Sequence, residues 1–99
     1  MATERYHPLV SIALHRACSH YDAIAIRLGN RFRTKVKLRI RRIVERPESF
    51  GRIGGEFRGA IIDGFPYVIV FTIDKNIPTI FGIRHAASDR TTWFDRKMP

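Results

Sequence analysis

Disulfides, membrane spans and internal repeats are all missing from this sequence, and each absence narrows the reading. The 99 residues include a single cysteine, Cys18. One thiol cannot close an internal disulfide, and with no signal peptide it predicts a reducing, cytoplasmic setting. The N-terminal apolar stretch Leu9–Leu14 is short and runs at once into His15 and Arg16. It is too short for a signal h-region or a membrane span. No repeat, low-complexity tract or Ser/Gly linker divides the chain, so residues 1–99 read as one domain. Acidic residues are scarce: nine Asp and Glu face 18 Lys and Arg, for a formal charge of +9. So large a charge on so small a chain points to an anionic partner, and favours a binder or a small nuclease over an independent metabolic enzyme.

Along the chain, Glu4–His7 reads as a short strand stopped by Pro8. Val10, Ala13, Leu14, Ala17, Tyr21, Ile24, Ala25 and Leu28 then recur at the spacing of one helix face. Gly29-Asn30 supplies a stop, with Gly29 as a left-handed cap and Asn30 as the N-cap of the next element. The segment Arg31–Val44 fits two periods. Its basic and apolar residues alternate as in a strand, yet Phe32, Val36, Ile40, Ile43 and Val44 also share a helical arc. Its length and the Arg41-Arg42 doublet favour a helix, closed by Pro47. Glu48–Gly55 reads as a glycine-containing loop. Phe57–Ile62, Tyr67–Ile73 and Thr79–His85 read as three strands joined by short turns, an antiparallel meander. The expected architecture is α+β: a short first strand, a two-helix hairpin, then the meander, with both helices on one face of the sheet.

Nine of the 18 basic residues lie between Arg27 and Arg46, and Glu45 is the sole acid from Arg31 to Arg46. This local imbalance predicts either a phosphate-tracking face or a dock for an acidic chain, against the alternative of a solvated helix surface. Aromatic residues are not interleaved with its arginines, which weakens a base-stacking platform. His15, Cys18 and His20 make an incomplete ligand set, with His20 pointing away from the other two on a helix, and no metal site is expected. Gly51–Gly55 lacks the spacing and Lys-Ser/Thr ending of a phosphate loop. Arg58, Arg84 and His85 form the remaining constellation. Metal-free RNA cleavage needs a base for the 2′-hydroxyl, cations for the transition state and an acid for the leaving oxygen. His85 or Glu56 would be the base, Arg58 and Arg84 the cations, and His85 the acid. The same residues also fit a structural account, with Arg58 paired to Asp63 or Asp95 and His85 satisfying a backbone group.

Several ordered pieces resemble a known family. They are Tyr6-His7-Pro8 before a helix carrying Tyr21, Leu28-Gly29-Asn30-Arg31-Phe32 before a helix ending at Glu45-Arg46-Pro47, and Phe57-Arg58. Phe65-Pro66-Tyr67-Val68-Ile69-Val70-Phe71, Ile83-Arg84-His85 and Trp93-Phe94-Asp95-Arg96 complete the set. Together they look like the RelE/ParE superfamily of type II toxins, over nearly the whole chain. The resemblance implies a toxin neutralised by a cognate acidic antitoxin, with the ambiguous basic segment as the second helix. Two branches share the fold: ribosome-dependent mRNA endonucleases, and members that poison DNA gyrase.

Phe65-Pro66-Tyr67 with His85, Trp93 and Arg96 is similar to the ParE-type and plasmid-stabilisation members, so growth inhibition by binding gyrase is the expected function. A metal-independent mRNA endonuclease using Arg58, Arg84 and His85 is the alternative, and a non-toxic interaction module is a third. The residues expected to meet a partner are Arg31, Lys35, Arg39, Arg42, Arg46, Trp93 and Arg96. No cofactor, metal or membrane is called for. The implied assembly is a homodimer or a hetero-oligomer with the antitoxin.

Overall fold

A computed structural model describes residues 4–87. Trp93 and Arg96, both expected at a partner surface, and Asp95 lie outside the described residues.

The first strand, β1 (Arg5–Tyr6), is followed by helix α1 (Val10–Ile24) and helix α2 (Ile26–Glu45). A single 3-10 turn at Pro47–Ser49 leads to β2 (Arg52–Gly54), β3 (Phe57–Ile61), β4 (Tyr67–Asp74) and β5 (Ile77–His85). The architecture is α+β, with five strands among the described residues, in the order β1-β5-β4-β3-β2. The expected sheet is corrected in two respects. It is mixed, because β1 runs parallel to β5, with Arg5 opposite Thr79 and Tyr6 opposite Ile80. It also gains β2, which forms inside the stretch read as a loop and pairs antiparallel with β3. The backbone reverses between them through Gly55, at φ 55°, a conformation that glycine adopts without a Cβ penalty. Gly59 on β3 admits β2, since a Cβ there would sit 2.9 Å from Ile53 Cγ2 and 3.1 Å from Val68 Cγ1.

The helix boundary is also corrected. The chain turns at Ala25, which alone is extended (φ −165°, ψ 136°), and Gly29 and Asn30 lie inside α2. The Ala25 N–H donates to the Tyr21 carbonyl at 3.0 Å, while the Ala25 carbonyl accepts from Leu28 and Gly29. One residue therefore ends one helix and starts the next. The early turn brings Phe32 onto Tyr21, with ring centroids 5.0 Å apart, and both rings onto Phe65 and Tyr67 of the β3–β4 corner and β4. This tertiary cluster outweighs the local cap signal of Gly29-Asn30, since local propensity is a weak prior against burial.

The main core lies between the helices and the sheet. Phe32, Val36 and Ile43 of α2 pack with Ile69, Phe71, Ile80 and Ile83 of the two central strands. Alternate residues of those strands point the other way. Val68, Val70 and Phe81 form a smaller cluster there, with Ile53 and Phe57 against it. Between β4 and β5 the register shifts at Val70/Phe71, which leaves Phe81 as an extra residue and keeps both faces filled. The β4–β5 turn has positive φ at Lys75 (51°) and Asn76 (66°), the type I′ geometry that matches strand twist. Among the described residues, no helix is long and apolar enough to cross a membrane.

Candidate functional site

The basic segment is helical, so its charges spread around the helix instead of lining one strand face. Phe32, Val36 and Ile43 set the buried side. Arg31, Lys35, Arg39 and Arg42 follow one another at steps of four, four and three residues, which places them in one stripe along the flank of α2. That flank faces the β3–β4 corner. One recess of about 300 Å³ is bounded by Lys35, Arg39, Arg42, Glu45 and Asp63. A second, of about 350 Å³, is bounded by Leu28, Arg31, Lys35, Asp63 and Phe65. The two share Lys35 and Asp63 and so form one groove. Lys35 Nζ donates to Asp63 Oδ2 at 3.2 Å across it. Arg46 is placed elsewhere: it is the C-cap residue of α2 and borders a recess with Glu45, Glu48 and Asn76.

The opposite flank of α2 carries Arg33 and Lys37 toward α1. Arg33 grips Asp22 of α1 with both terminal nitrogens, Nη1 donating to Oδ1 at 2.9 Å and Nη2 to Oδ2. That hydrogen bonding holds the Asp22 carboxyl below its ordinary range and raises Arg33 further. Gly29 lies directly beneath. A Cβ on it would fall 1.7 Å from Asp22 Oδ1. The sequence reading missed this pair, because residues eleven apart on two helices carry no short-range signal. Where the helices diverge, Leu14, Cys18, Val36 and Ile40 line an apolar recess of about 430 Å³, with His15 and Lys37 at its margin. Burial pushes the Cys18 thiol up. His20 packs edge-on against Tyr21.

The sheet residues proposed for cleavage are not brought together. Arg58 stands opposite Phe71, on the helix-covered face, and Arg84 stands opposite Val68, on the other face. Strand β4 separates them, and their partners on it are three residues apart. The offset is about 10 Å along the sheet and about 10 Å across it. Each cation is also engaged locally. Arg58 Nη1 donates to the Phe50 carbonyl at 2.7 Å, and not to Asp63, which faces Lys35. Arg84 is 7% exposed, and its Nη1 donates to the His85 carbonyl at 3.3 Å. His85 is exposed, returns to the helix-side face opposite Tyr67 and packs on that ring at 5.3 Å. Its Nδ1 accepts the Ala87 N–H at 3.1 Å. Glu56 lies in the β2–β3 turn and is exposed.

His7 has a structural role that its place in the Tyr6-His7-Pro8 stretch does not announce. His7 Nδ1 accepts the Leu9 N–H at 3.1 Å, and its carbonyl accepts the Val10 N–H at 3.0 Å. It thereby supplies the start of α1, which has no side-chain N-cap of its own. Next to it, burial and the neighbouring Glu4 carboxylate push the Tyr6 hydroxyl up to about 12.

Comparison with protein-family models and with curated proteins finds no match to this chain.

Proposed function

We propose that this chain is the toxin of a type II toxin–antitoxin pair, acting in the cytoplasm by binding an essential target and held inactive by an acidic antitoxin. The target is DNA gyrase, the choice favoured by the likeness of Phe65-Pro66-Tyr67 and His85 to ParE-type members. The observation that supports binding over cleavage is the dispersal of Arg58, Arg84 and His85 across two faces of the sheet. Phosphodiester transfer needs its base, cations and acid within about 3 Å of one reacting phosphate. The α2 groove supplies the complementary feature, a row of cations suited to an acidic partner.

Two assays on the purified chain test this reading. Added to a gyrase supercoiling reaction, it should inhibit supercoiling or accumulate cleaved complexes. Inert behaviour there, with cut mRNA on programmed ribosomes, would overturn the binding mechanism in favour of the nuclease. In cells, induced expression should arrest growth, and His85→Ala should arrest it equally well. A harmless wild type would leave only the interaction module, and a harmless His85→Ala beside a toxic wild type would restore the nuclease.

A further inference from the structure

Two apolar walls face each other on the flank of α2 that carries Arg33 and Lys37. Leu14 and Cys18 stand four residues apart on α1, and Val36 and Ile40 four apart on α2, so each pair forms one strip along its helix. His15 and Lys37 follow Leu14 and Val36 by one residue, about 100° farther round each helix, which sets them on the rim. Between the strips lies the recess of about 430 Å³. Cys18 and Val36 are buried and form its floor, whereas Leu14 and Ile40 are half-buried. Small-molecule sites occupy roughly 300–1,000 Å³ and combine apolar walls with a few polar groups, as this recess does.

The rim is one-sided in charge. Among the described residues no carboxylate lines the recess, and Lys37 makes no ion pair. Arg33 is committed to Asp22, and that bidentate pair ties α1 to α2 toward the Ala25 turn. An ammonium without an acid partner, at the edge of an apolar slot, fits a molecule with one anionic head and one apolar tail. From Arg33 to Ile40 the helix advances about 10 Å, room for a medium-length acyl chain laid along it. A second copy of the chain is a poorer occupant. Each copy carries a formal charge of +9, and like charge of that size opposes self-association.

We propose that the recess between α1 and α2 binds a medium-chain carboxylate, with its head on Lys37 and its tail along Leu14, Val36 and Ile40. The site is separate from the basic stripe on the other flank of α2 and does not depend on the toxin reading.

Isothermal titration calorimetry on the full chain tests it, with octanoate, octanamide and hexanoate as monomeric probes. Octanoate should bind at one site per chain. Octanamide keeps the tail and lacks the charge, and should bind at least about threefold more weakly. Each methylene withdrawn from water tightens binding by about fourfold at full burial, so hexanoate should bind about tenfold more weakly than octanoate. Lys37→Gln should erase the preference for octanoate over octanamide. Arg27→Gln removes the same charge from an exposed position outside the recess and should leave that preference intact. In amide-resolved NMR, octanoate should shift residues 11–18 and 33–40. Equal affinity for octanoate and octanamide, a preference that survives Lys37→Gln, or shifts centred elsewhere would overturn the inference. A chain that is dimeric in sedimentation equilibrium and takes up no octanoate would overturn it in favour of a second copy. One that binds phosphatidylglycerol vesicles but no monomeric octanoate would overturn it in favour of a membrane surface. None of these outcomes bears on growth arrest, so the site and the toxin reading stand or fall separately.

Discussion

At Gly29, helix propensity and packing make opposite demands. Replacing glycine by alanine inside a helix ordinarily stabilises by about 1 kcal/mol. Here the added methyl would occupy the place of the Asp22 carboxylate, so it must push that group off Arg33. Gly29→Ala is therefore expected to be no more stable than the parent in urea melts. The pH dependence gives an independent reading. The Asp22 carboxyl is held low, first by hydrogen bonding from Arg33, with Coulomb attraction to Arg33 and His15 adding to it against partial desolvation. A lowered folded value means that stabilisation is complete above the unfolded value of about 3.9 and is lost as pH falls through the folded one. The parent should lose stability along that acid limb, and Asp22→Asn and Gly29→Ala should lose less. A stabilised Gly29→Ala with the full acid slope would show that the pair tolerates the methyl.

Among the elements, the central strands were the most legible from sequence and the helix junction the least. β4 and β5 carry Val68–Phe71 and Ile80–Ile83, buried on both faces of the sheet. Such strands show as apolar runs without needing a period. The face of α2 was legible, since Phe32, Val36 and Ile43 do point into the core, and that of α1 in part: Val10, Ala17 and Tyr21 are buried, whereas Ile24 is exposed and Leu28 belongs to α2. The turn at Ala25 was not, because its cause is the contact of Tyr21 with Phe32 and Phe65. β2 was hidden for a similar reason: Arg52–Gly54 has no strand pattern, and its pairing depends on Gly59 leaving room for Ile53. The charged groove was half legible. Its cations were identified from their local excess, but Asp63, read as a partner for Arg58, joins them instead across 28 positions of sequence.

Two substitutions test these elements. Phe32 is fully buried against three rings, those of Tyr21, Phe65 and Tyr67, so Phe32→Ala should cost about 3–5 kcal/mol by thermal or urea denaturation. A loss under about 1 kcal/mol would mean that the cluster does not fasten α2 to the sheet. The β4–β5 turn offers a gain. Lys75 pays a steric penalty at φ 51°, and Asn-Gly is the preferred pair for this geometry. Lys75→Asn with Asn76→Gly should stabilise by about 0.5–1 kcal/mol. An unchanged or lower midpoint would argue against a type I′ turn in solution.

For the whole molecule, the charge of +9 divides into populations with different roles. Arg58 and Arg84 are tied into the fold, Arg33 clamps the helices, and the Arg31–Arg42 stripe faces a groove. Long-range attraction sums over all of them, whereas specificity belongs to the stripe. Association with an acidic protein partner should therefore slow several-fold between about 0.05 and 0.3 M salt, mostly through the on-rate in stopped-flow mixing. A salt-independent on-rate would remove electrostatic steering from the account.

The parallel pairing of β1 with β5 has a consequence for synthesis. Arg5 meets Thr79, so the sheet cannot close until the ribosome has made nearly all of the described chain. The helix hairpin emerges early, but Ile69, Phe71, Ile80 and Ile83, against which it packs, are made late. Contacts this distant in sequence are slow to form, because the loop between them must be closed before they stabilise anything. A partner that engages α2 can therefore reach it after the hairpin is made and before the sheet has closed.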